Sequence, residues 1–69
     1  MEIDVEQYID SKIGRGDEFR VKEVAAGFGV SDRTVRRYVQ SGRLEAFRLF
    51  GFVIPRQAVR DFIENGQNF

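Results

Sequence analysis

Sixty-nine residues, 42% of them apolar and seven of them Phe, suffice for one small core near the lower size limit for a chain that folds alone. With neither Cys nor His, the chain offers no disulfide or thiolate site and argues against zinc; no apolar run reaches the length of a membrane span. The net charge is zero, but residues 1–19 hold six acidic and two basic side chains, whereas residues 20–69 hold nine basic and five acidic. Such a split leaves a basic body able to face a phosphate backbone behind an acidic lead segment.

Taken in order, the first element is an amphipathic helix over residues 3–13. Asp4 reads as its N-cap with Gln7 completing a capping box, and Ile3 and Tyr8 stand where a hydrophobic staple would form. Val5, Tyr8, Ile9 and Ile13 share one face, with Glu6, Gln7 and Asp10 outward. That apolar face packs on the core or, alternatively, meets a second copy. Gly14-Arg15-Gly16-Asp17 is a turn.

A second helix is expected from Phe19 to Phe28, burying Val21, Val24, Ala25 and Phe28 and weakened by Gly27. Gly29 supplies a left-handed turn. Ser31 then caps a third helix, with Val30 and Val35 placed for a staple. At 100° per residue Val35, Tyr38 and Val39 fall on one side. Arg33, Arg37 and Gln40 fall on the opposite side, flanked by Arg36 and by Thr34 and Ser41. One apolar face and one compact arginine-rich face suit a helix that lies in a major groove; a merely solvated face is the alternative.

Gly42 closes that helix. Leu44–Leu49 and Phe52–Ile54 read as two strands joined at Phe50-Gly51. Pro55 is expected at the first helical position of a last helix, whose apolar face is Ala58, Val59, Phe62 and Ile63 and whose end is Asn65-Gly66. Gln67-Asn68-Phe69 is a frayed end. The result is one α+β, mainly helical domain over 1–69: a helix-turn-helix at 21–42 with an added N-terminal helix, a two-stranded wing at 44–54 and a C-terminal helix at 55–65. Two helices crossing at a wide angle need a small residue where they touch and a glycine in the turn. Ala25 and Gly29 stand at those positions, with Val24, Phe28, Val30, Val35 and Tyr38 as apolar plugs.

The stretches VKEVAAGFGVSDRTVRRYVQSGRL, AFRL and IPRQAVRDFI resemble, in family order, the excisionase-type and MerR-like winged helix-turn-helix DNA-binding domains. The resemblance implies a second motif helix in the major groove of double-stranded DNA and a wing on the neighbouring backbone or minor groove. By position it implies contacts from Arg33, Thr34, Arg36, Arg37 and Tyr38, a wing contact from Arg48, and phosphate held by Arg20 or Lys22. Gln40 joins them from the helical geometry, as a side chain able to touch base edges. Three features depart from the family pattern: Phe19-Arg20 where a Thr or Ser cap is common, a short apolar wing tip at Leu49-Phe50-Gly51-Phe52, and the acidic first helix.

The function so implied is that of an accessory protein of a phage, virus or integrated element, which bends DNA near an attachment site and helps an integrase choose excision. A transcriptional regulator of the same fold is the nearest alternative. A protein-interaction module using the exposed wing tip, with self-association or cooperative assembly on DNA, is a third. No cofactor, no metal, no membrane and no catalysis are expected, since nothing pairs the carboxylates, Ser and Tyr in a reactive arrangement. The acidic N-terminus, unlike a signal peptide, leads to an expectation of host cytoplasm or nucleoid.

Overall fold

The computed structural model describes residues 4–65. Seven elements follow one another: α1 (Val5–Lys12), β1 (Glu18–Arg20), α2 (Val21–Phe28), α3 (Asp32–Gln40), β2 (Phe47–Arg48), β3 (Phe52–Pro55) and α4 (Arg56–Glu64). The fold is mainly helical α+β, in agreement with a winged helix-turn-helix. Ile3, Gly66 and the Gln67–Phe69 end, for which a staple, a terminator and fraying were expected, lie outside the described residues. Among the described residues no helix is long and apolar enough to cross a membrane.

Helix α1 starts where its cap dictates: the Asp4 carboxylate accepts the Glu6 amide at 2.9 Å. Ile9 is fully buried, with Val5, Tyr8 and Ile13 packed half-buried around the core. The face expected to be apolar therefore meets this chain's own core, against α2 and α4. Its acids have a separate destination. Arg56, at the start of α4, donates to Glu6 at 2.7 Å and to Asp10, and also to the Gly14 and Gly16 carbonyls. Glu6 first and Asp10 second raise the Arg56 pKa above the usual guanidinium value by favouring its charged form. Arg60 reaches Glu6 as well, at 3.2 Å. Glu6 and Asp10 are thus paired with α4 and not with the α3 arginines, which make no ion pair among the described residues.

Residue 27 explains itself only in three dimensions. A Cβ on Gly27 would lie 2.3 Å from Ile13 Cγ1 and 2.8 Å from the Lys12 carbonyl oxygen. The glycine that weakens α2 as a helix is what lets the end of α1 press against it. Gly27→Ala is expected to lower stability by about 1–3 kcal/mol, the cost of overpacking, despite the better helix propensity of Ala. A thermal melt reads the sign directly: a melting temperature raised by the substitution would contradict the close approach.

Four expectations need correction. The second helix begins at Val21, not Phe19, because Glu18–Arg20 is a strand: Phe19 lies opposite Ile54 and is buried while its neighbours are exposed. The sheet accordingly has three strands in the order β1-β3-β2, all antiparallel, instead of a lone hairpin. The first wing strand shrinks to Phe47–Arg48 because the Arg43 and Leu44 amides both donate to the Tyr38 carbonyl, at 3.0 and 3.1 Å. Leu44 is consumed in ending α3 and is buried at 1% exposure. Pro55 ends β3 and is the N-cap of α4 instead of its first residue, so that helix starts at Arg56, one residue later than expected.

The core unites all four helices and the sheet: Ile9, Phe19, Val24, Ala25, Phe28, Val35, Tyr38, Leu44, Ile54, Val59 and Phe62 are buried in one cluster. Phe62 is its pivot, stacked on Phe28 with ring centroids 5.6 Å apart and tilted on Tyr38 at 5.1 Å. That three-ring contact ties α4 to both helices of the motif.

Candidate nucleic-acid interface

The turn between α2 and α3 is built as the spacing requires. Gly29 takes a left-handed conformation (φ 73°, ψ 32°), and the Val30 amide returns to the Ala25 carbonyl at 3.0 Å. Ala25 is 1% exposed at the point where the helices touch; Val24, Phe28 and Val35 are buried, and Val30 packs against them half-buried. Ser31 Oγ accepts the Thr34 amide at 3.1 Å and shares a hydrogen bond with Thr34 Oγ1 at 2.9 Å. The missing Ser or Thr cap at the start of α2 is replaced from the other side: Glu23 Oε1 accepts the Arg20 amide at 2.8 Å. These devices hold α3 in place with its arginines outward.

Arg33, Arg36, Arg37 and Gln40 are exposed. Ion pairs among the described residues involve only Arg56 and Arg60 as cations, so the three α3 guanidiniums are not neutralised by neighbours. They divide between two sides of the helix. Arg36 faces a cleft toward the wing, which it lines with Arg20, Lys22, Arg48, Phe50 and Phe52, and with Asp32 as the single acid. Arg37, Gln40 and Thr34 line the opposite flank together with Ser41 and Arg43. Arg33 stands exposed one turn N-terminal to Arg37. A basic ridge with a basic groove on either side is suited to lie between two phosphate strands.

The remaining expected contacts fare differently. Tyr38 belongs to the core: at 7% exposure its ring packs on Phe62, because its place in the helical period puts it beside Val35. It is withdrawn from the exposed face. Arg20 has a mechanical task, since its Nη1 donates to the Leu49 and Phe50 carbonyls at 2.9 and 3.3 Å and so grips the wing tip from β1. Lys22 is exposed in the cleft. Arg48 lies over the Phe52 ring, 5.0 Å from its centroid, which preorganises it on the cleft wall.

Arg43 is a cation that sequence reasoning passed over. Its guanidinium sits 5.2 Å from the Tyr38 ring centroid and its Nε donates to Ser41 Oγ at 3.3 Å. It follows Gly42, so a helical projection ends before reaching it. The only available signal was its charge just past α3.

The wing tip is the other surprise. Phe50 is 98% exposed and has φ 52°, the sole positive φ outside glycine among the described residues. A bulky side chain in that region costs about 1 kcal/mol or more. The Leu49 amide donates to the Gly51 carbonyl at 2.7 Å, closing the tight tip that imposes the conformation.

Comparison with known proteins bears on the α2–α3 motif. No curated protein and no solved structure matches the chain. A family model described as a helix-turn-helix domain matches residues 18–67, a span that begins at β1 and takes in α2, α3, the wing and α4 but leaves out the acidic first helix. On that match, and with the α2–α3 motif in place, the chain belongs to this DNA-binding family of helix-turn-helix domains.

Proposed function

We propose that this chain binds double-stranded DNA sequence-specifically, with α3 in the major groove, and acts as an excisionase-type accessory protein in site-specific recombination. The observation that carries the groove assignment is the exposed, unneutralised Arg33, Arg36 and Arg37 on a helix whose other face is buried. Arg33, Arg37, Thr34 and Gln40 are the candidates for base edges; Arg36, Lys22, Arg43 and Arg48 fix the duplex by its phosphates. The narrower role rests on the resemblance carried by residues 21–63. A promoter-binding regulator would use the same interface and differ in where its sites lie. No catalytic step is assigned to this surface.

Footprinting on DNA flanking the encoding gene separates these roles. Protected repeats beside an attachment site support recombination; a single operator in the gene's own promoter supports regulation. Affinity should fall steeply as salt rises, because each neutralised phosphate releases condensed counterions. Flat salt dependence would count against DNA as the partner.

A further inference from the structure

We propose that Phe50 is a wedge that inserts between base pairs in the minor groove beside the α3 site and kinks the duplex there. The inference rests on the DNA-binding reading above and adds a specific residue and a specific deformation to it.

Every large apolar side chain that is strongly exposed among the described residues belongs to the wing: Phe47, Leu49 and Phe50. Phe50 contributes nothing to the core at 98% exposure, and its backbone is held at φ 52°. An exposed aromatic ring on strained backbone does not stabilise this fold, and such strain is typical of sites that serve a ligand. The tip is also held, since the Arg20 guanidinium bridges the Leu49 and Phe50 carbonyls. A ring carried on a braced turn loses little freedom on insertion.

Charge decides what the ring meets. A protein-binding apolar patch is depleted of charged groups at its centre. Phe50 instead shares its cleft with Arg20, Lys22, Arg36 and Arg48 against Asp32 alone. An apolar wedge fenced by cations fits a ligand that is an anion outside and a stack of flat rings inside. Nucleic acid has that construction, and minor-groove proteins insert Phe, Leu, Ile or Met between base steps in this way. With α3 in the major groove, the wing tip reaches over the adjoining strand.

The test uses a duplex selected from a random pool by the wild-type protein, labelled at its ends for energy transfer and carrying 2-aminopurine at successive positions. Wild type should bend the duplex and brighten 2-aminopurine at one step on the wing side, preferring pyrimidine–purine steps there because they unstack most easily. Phe50→Ala should keep its fold and still bind, with affinity reduced about fivefold to tenfold, the bend mostly lost and the brightening abolished. Phe50→Leu should restore much of the bend. Equal bending by wild type and Phe50→Ala would overturn the proposal, as would binding by wild type with no unstacked step. So would a Phe50→Ala variant that loses only association between protein copies, read by sedimentation, because the ring would then be a protein contact. Failure of the wild-type protein to select any duplex would instead remove the DNA-binding reading itself.

Discussion

Replacing Arg37 by alanine is expected to weaken binding to the selected duplex by about 1–3 kcal/mol, and Arg33→Ala to do the same. Both guanidiniums are exposed, lie one helical turn apart and have no carboxylate partner within the described residues. Removing either therefore takes a charge-assisted donor from the interface without leaving a buried group unsatisfied in the free protein. The form of the loss identifies the task. A residue that reads guanine relaxes preference at one base pair; a residue that clamps phosphate weakens all sequences alike and lowers the salt slope by about one unit. Arg60→Ala is the matched control, because that cation sits on α4 beside Glu6 and Glu64 and should leave affinity unchanged. Titrations at several salt concentrations with single-base variants of the duplex measure all of this. Wild-type affinity in both α3 variants would refute the groove assignment.

Phe62→Ala is expected to cost about 3–5 kcal/mol of folding stability. Phe62 is 1% exposed and touches Phe28 of α2 and Tyr38 of α3, so truncation opens a cavity where three helices meet. A domain of this size has only about 3–10 kcal/mol in total, and the melting temperature should drop by more than about 12 °C. Circular dichroism during heating measures it, with Phe50→Ala as a variant that should melt like wild type. A loss of only a few degrees for Phe62→Ala would show that the α4–motif junction is not the keystone of this core.

Much of the fold was legible because most of it is helical and amphipathic. Val24, Ala25, Phe28, Gly29, Val35 and Phe62 stand where period and turn chemistry require, and each is placed accordingly. The strand β1 was not legible. Three residues, Glu18-Phe19-Arg20, are too few to display a period of two, and their partner, Val53–Pro55, lies far along the chain. Extending α2 back to Phe19 was the natural local reading and the wrong one. Gly27 reads as a defect until Lys12 and Ile13 are seen against it.

For the interface, helical geometry was enough to turn Arg33, Arg36, Arg37 and Gln40 outward. It could not show that Arg36 turns toward the wing while Arg37 turns away, nor that Arg43 joins the latter from beyond Gly42. Tyr38 illustrates the limit of carrying contacts over by position: its angle on the helix had already placed it beside Val35, and burial follows the angle. The pairing of Glu6 and Asp10 with Arg56 likewise spans some fifty residues, beyond any local rule.

The grip of Arg20 on the wing has a mechanical consequence. One residue pairs with β3 through its backbone, caps α2 through its amide and holds the tip of the wing through its side chain. The wing cannot swing without dragging the frame that orients α3. On the proposed docking, a duplex lying across both would meet a caliper of fixed opening, and a mismatch in groove spacing would fall on the DNA. Stiffness in the protein then becomes selectivity for sequences that yield, even at base pairs no side chain reaches.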